Sequence, residues 1–191
     1  MEENVNPTPQ QPAPAPKQDL RKTFNIVLIV LIGLSLLGAL ISFFGSFGAM
    51  VISFWYGLFS LAYSGIVMAI GIIILVRMKK QQPYGFLAVG FFAIAFICGI
   101  ISMILGYGTS TWTFIVNLLA LACAVLAVVP TDKLKDKASY KTYILDTAQK
   151  PDKTLLAIYA LCYILTIVFT YAIYHKAASA LKGFSKALEG L

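Results

Sequence analysis

TFNIVLIVLIGLSLLGALISFFGSFGAMVISFWYGLFSLAYSGIVMAIGIIILV, residues 23–76, contains no Asp, Glu, Lys, Arg or His. A bilayer's hydrocarbon core is about 30 Å thick and takes roughly 20 apolar residues as a helix, so this stretch is long enough to cross twice. A second uncharged run, from Gln81 to Thr131, is also long enough for a hairpin, and a third, from Thr154 to Tyr174, for one crossing. Over the whole 191 residues, 59% are hydrophobic and 12% charged, and the mean hydropathy is +0.82. A soluble domain carries roughly twice that charged fraction. These observations predict an all-α polytopic membrane protein, a bundle of about five transmembrane helices.

Working outward, residues 1–22 are proline-rich (Asn6 to Pro16 holds five prolines) and too poor in apolar surface to repay the entropy of folding. They read as a disordered cytoplasmic tail ending in the basic residues Lys17, Arg21 and Lys22. Residues 23–130 read as a four-helix transmembrane unit made of two hairpins. Span 1 is expected over 24–44, a turn at Gly45-Ser46-Phe47-Gly48, and span 2 over 49–76, stopped by Arg77, Lys79 and Lys80. Pro83 breaks the backbone before span 3 at 85–105. Gly106 to Ser110 turns the chain into span 4 at 111–129, which ends at Pro130. Residues 131–153 form a basic loop with six lysines and four aspartates, part of which can lie along the interface as an amphipathic helix. Asp152 or Thr154 is placed to cap the last helix by accepting backbone N–H bonds. Residues 154–191 read as a fifth span running on into an extramembrane amphipathic helix. Ile41-Ser42 with Phe47-Gly48 recurs as Ile101-Ser102 with Tyr107-Gly108, a faint sign of hairpin duplication.

The net charge of +7 does not point to nucleic acid, because Lys and Arg cluster at the ends of the apolar runs, where they set membrane orientation. With the N-terminus inside, twelve of them are cytoplasmic and three (Lys176, Lys182, Lys186) are outside. The expected location is therefore the bacterial cytoplasmic (inner) membrane, N-terminus cytoplasmic and C-terminus outside. The run from Phe24 to Phe44 reads as an anchor rather than a signal peptide, being too long for an h-region and preceded by a polar tail.

Catalysis within a membrane needs ionisable groups at depth, and these spans hold none. One histidine, His175, cannot supply a zinc site or two haem ligands. Neither HExxH nor GxSxG is present. Cys98, Cys123 and Cys162 lie singly in predicted spans and read as small apolar residues. No catalytic residue, cofactor or metal is expected, and the chain does not read as an enzyme. Asn117 is the most polar side chain at depth and reads first as an interhelical hydrogen-bonding group. Small residues spaced by four recur as Ser35/Ala39, Gly65/Ala69, Ala95/Gly99 and Ala120/Ala124, the pattern that lets helix backbones approach in lipid. Trp55, Tyr56, Trp112, Tyr171 and Tyr174 read as an outer interfacial belt.

Along the fifth span Tyr159, Tyr163, Thr166, Thr170 and Tyr174 form one hydroxyl-bearing stripe. Beyond it Ala177, Leu181, Phe184, Leu188 and Leu191 continue as an apolar seam that fits lipid or a protein partner. The partners expected are the bilayer and other membrane subunits or a second copy of the chain, with no nucleic acid. The functional expectation is a non-catalytic integral membrane subunit that assembles with, anchors or regulates partner proteins. The alternative is a small transporter or channel acting as an oligomer.

Overall fold

The computed structural model describes residues 20–106, 111–128 and 144–189, with side chains at 22–106, 114–128 and 144–180. The proline-rich tail, residues 131–143 of the 131–153 loop in which an interfacial helix is expected, and Leu191 lie outside the described residues. Among the described residues five long helices carry the fold: α1 (Leu20–Ile52), α2 (Phe54–Lys79), α3 (Gly85–Ile104), α4 (Thr111–Val128) and α5 (Lys150–Glu189). With no water in the hydrocarbon to satisfy free N–H and C=O groups, helices that bond internally are the natural solution for such sequences. Four of them, α1, α2, α3 and α5, are long and apolar enough to cross a membrane. The remaining helix, α4, has 18 residues, or about 27 Å, and packs among the others.

The first turn is not where the glycines place it. The helix α1 runs through Gly45–Gly48 to Ile52, and α2 begins at Phe54 rather than near Ala49. Interrupting the helix in lipid would strand backbone groups, which costs more than placing glycines inside it. The break falls at Ser53, whose backbone is extended (φ −154°, ψ 114°) and whose hydroxyl accepts a long bond from Tyr56 N. Trp55 therefore lies in the first turn of α2. Gly57 makes the reversal physically possible: a Cβ there would lie 2.6 and 2.7 Å from Met50 N and Cα. One turn deeper, Ser46 Oγ stands 2.7 Å from Ser42 O and 2.8 Å from Ser60 Oγ. With one proton per hydroxyl, Ser46 donates to the carbonyl and accepts from Ser60, joining α1 to α2.

At its other end α2 closes with a Schellman turn. Gln82 N donates to Arg77 O at 2.9 Å and Gln81 N to Met78 O at 3.3 Å. Gln81 takes the left-handed conformation (φ 54°), and Pro83 follows.

The helices pack as a closed ring in the order α1, α2, α5, α3, α4 and back to α1, with α2 and α3 meeting only lightly. Both hairpins seen in the sequence are present, and α5 wedges between them. The half of the ring nearer Arg77 is filled by Leu28, Ile32, Ile70, Ile74, Leu87, Phe91, Phe92 and Leu156, with Ala120, Ala124 and Ala127 bringing α4 close. The outward faces are apolar, among them Val51 (88% exposed), Ile104 and Ile41. A continuous apolar exterior of this kind makes contact with lipid.

Candidate functional site

Two constellations stand out, a polar clamp at one end of the ring and a cavity at its centre. The clamp begins with Arg77, the residue expected only to stop span 2. Its two terminal guanidinium nitrogens donate to Asp152, Nη2 to Oδ1 at 2.7 Å and Nη1 to Oδ2 at 2.8 Å. Arg77 also donates to Gln149 Oε1 at 3.1 Å. The helix α5 starts at Lys150 rather than at the expected 154, so Asp152 is its third residue; it accepts from Gln149 N, just before the helix, at 3.2 Å while binding α2 to α5. Nearby, Tyr84 OH donates to Asn25 Oδ1 at 2.9 Å, joining α3 to α1. Tyr84, the residue at the N-cap of α3, makes no capping bond with its side chain. Thr147 supplies one instead: its Oγ1 accepts from Phe86 N at 2.7 Å and donates to Ile144 O at 2.7 Å. Gly85 is required here, because a Cβ would run into Val128. A second cavity of about 600 Å³ lies among Asn25, Gln81, Gln82, Tyr84, Val128 and Thr147.

The central cavity has a volume of about 320 Å³ and all five helices line it. From α1 come Ser35, Gly38, Ala39 and Ser42, and from α2 Tyr63 and Val67. From α3 come Phe91, Phe92 and Ala95, from α4 Asn117, and from α5 Tyr159 and Tyr163. Tyr159 and Tyr163 follow Asp152 by seven and eleven residues, placing them about 10 and 16 Å beyond the clamp along α5. The cavity therefore lies near the middle of the ring's length. An aromatic wall bounds it. The rings of Tyr63 and Tyr163 lie 4.7 Å apart, Phe91 and Tyr159 5.1 Å, and Tyr63 and Tyr159 5.9 Å. Phe91, Phe92 and Val67 form its floor toward the packed half, whereas Gly38 and Ser42 reach the bundle surface along α1.

The residues singled out in the sequence fall at different places. Asn117 lines the cavity and its amide approaches Gly99, where a Cβ would lie 3.9 Å from Nδ2. Among the described residues no hydrogen bond ties the Asn117 side chain to another helix. Ala95 and Gly99 are buried on the inner face of α3. Gly65 has open space where a side chain would go, and Ala69 is exposed. The inward face of α2 is instead set by Gly57, Ser64, Val67, Ile70, Gly71 and Ile74, and residues 65 and 69 fall on its far side. The hydroxyl stripe divides: Tyr159 and Tyr163 face the cavity, while Thr166 and Thr170 bond back to Cys162 O and Thr166 O at 2.8 Å each. Tyr174 is exposed. All three cysteines are free thiols. No cluster of metal-ligating side chains occurs among the described residues.

The C-terminal seam lies on a helix continuous from Lys150 to Glu189. Ala177 is exposed; Leu181, Phe184 and Leu188 are in the described backbone. Neither the clamp nor the cavity was visible in the sequence as an assembly. Asn25, Thr147 and Gln149 carry no local signal, and their partners are 59, 61 and 72 residues away. No protein-family model, curated protein or solved structure matches the chain.

Proposed function

We propose that this chain is a non-catalytic membrane subunit whose helix ring holds α5 as a projecting arm for assembly with a partner protein. The observation that carries the reading is the height of α5 relative to its neighbours. Phe59 of α2 stacks on Phe169 of α5 at 5.3 Å, which sets the two helices level at that point. Phe59 is five positions from the first residue of α2, Phe54; the same rise along α5 arrives at Tyr174. The helix then continues to Glu189, about 22 Å farther. Lys176, Ala177, Ser179 and Ala180 are exposed at the start of that extension. Leu181, Phe184 and Leu188 share its apolar seam, and leaving that seam in water is unfavourable. The split of twelve Lys and Arg against three supports an N-terminus in the cytoplasm and an arm on the outer face of a bacterial inner membrane. Leu181→Asp with Leu188→Asp should abolish co-purification of partners after mild detergent extraction, with membrane insertion unchanged. Complexes that survive the double change would refute the reading.

The central cavity favours a second reading, a small transporter or channel acting as an oligomer. Flux of an uncharged solute through proteoliposomes above that of empty vesicles would support it. The packed half of the ring stands between the cavity and the clamp end, so the cavity resembles a pocket more than a path.

A further inference from the structure

We propose that the central cavity binds a neutral, ring-bearing amphiphile with carbonyl oxygens, of the quinone class, that enters from the bilayer. Charge is the first constraint. Among the described residues the lining holds no carboxylate, amine, guanidinium or imidazole, so an ion brought to mid-depth would lack a counter-charge, and phospholipid and nucleotide headgroups are disfavoured.

Hydrogen-bonding capacity sets the second constraint. Ser35 spends its proton on Leu31 O at 2.9 Å, leaving it an acceptor. The Asn117 amide carries two N–H donors and lines the cavity, with no hydrogen bond to its side chain among the described residues. A donor without a partner in an apolar slab favours a ligand that brings an acceptor oxygen. The remaining wall is aromatic, with Phe91, Phe92, Tyr159 and Tyr163 presenting rings against which a planar group packs.

Size and access decide the rest. A volume of about 320 Å³ is at the small end of ligand pockets, which run roughly 300–1,000 Å³. It accommodates a substituted ring and the beginning of a tail, and not a two-chain lipid. With the floor closed and the α1 side reaching the surface at Gly38 and Ser42, the tail would leave along α1 into lipid. The assignment concerns binding alone and does not depend on the partner-assembly reading.

The test uses the full chain in nanodiscs, photolabelled with an azido-substituted ubiquinone analogue, with decylubiquinone as competitor and peptide mapping by mass spectrometry. Saturable labelling should map to peptides containing Tyr63, Phe91, Asn117 or Tyr159 and be displaced by decylubiquinone. Asn117→Leu is close in size and removes the donors, and it should weaken apparent affinity roughly tenfold, the scale of one hydrogen bond in an apolar site. Ala95→Phe should fill the cavity and abolish labelling, whereas Leu161→Phe on the exposed face of α5 should change nothing. If Ala95→Phe does not fold, Asn117→Leu still decides the matter. Labelling that decylubiquinone fails to displace, that Asn117→Leu leaves unchanged, or that a monoacylglycerol displaces equally well would overturn the proposal.

Discussion

Arg77 and Asp152, 75 residues apart in the chain, form a two-pronged ion pair in which the carboxylate is 1% exposed and the guanidinium 12%. The asymmetry predicts unequal consequences for the two single changes. Arg77→Met leaves a carboxylate sealed among α2 and α5 with no counter-charge. Asp152→Asn leaves a guanidinium at the edge, where its long stem can carry it toward water. Breaking a buried pair costs roughly 3–5 kcal/mol; Arg77→Met should lie within that range and Asp152→Asn below it. Thermal unfolding in detergent should therefore rank wild type above Asp152→Asn and Asp152→Asn above Arg77→Met. The reverse ranking would mean that the pair is more open than its geometry implies.

Gly57 and Gly71 both sit where α1 meets α2, yet they should tolerate alanine differently. At Gly71 the nearest atom to a new Cβ is Leu36 Cδ2 at 2.8 Å, the far end of a flexible side chain. At Gly57 the obstruction includes Met50 N and Cα, which cannot rotate away. Gly71→Ala should cost about 1–3 kcal/mol, the usual range for overpacking, and Gly57→Ala should cost more by forcing the hairpin apart. A disulfide tests the separation. Ser46→Cys with Ser60→Cys, in a chain lacking its native cysteines, should cross-link readily in the parent and poorly beside Gly57→Ala.

Capping of α3 by Thr147 gives a third expectation. Thr147→Val keeps the shape but leaves Phe86 N–H without its acceptor, and loss of such a cap costs about 1 kcal/mol. Thr147→Ser should retain most of it. Hydrogen exchange at the first turn of α3 should accelerate in the valine variant alone. Equal exchange in both variants would show that the hydroxyl does not hold that turn.

Orientation is testable with single cysteines at Gln81 and Ser185, again without Cys98, Cys123 and Cys162. The three native thiols are separate and unbridged, so their replacement by alanine should leave the ring assembled. An impermeant thiol reagent applied to intact cells should label Ser185→Cys and spare Gln81→Cys. Labelling at Gln81→Cys alone would invert the topology and place the α5 arm in the cytoplasm.

By itself the sequence determined that this is an all-α membrane bundle, because long runs without charge have few stable alternatives to lipid-embedded helices. It located the basic helix ends, the start of α3 after Pro83 and the unbroken path of α5. Each of these depends on residues within a turn or two of one another. It misplaced the first turn, since Gly45 and Gly48 break helices in water more readily than in hydrocarbon, and the reversal depends on how closely Gly57 lets Met50 approach. Only the tertiary structure decided that α5 inserts between α2 and α3, that Arg77 holds Asp152, and that Asn117 and three tyrosines converge on one cavity. Helical periodicity shows which residues share a face of one helix. The faces that meet are chosen by packing summed over all five helices, and no local stretch of sequence encodes that sum.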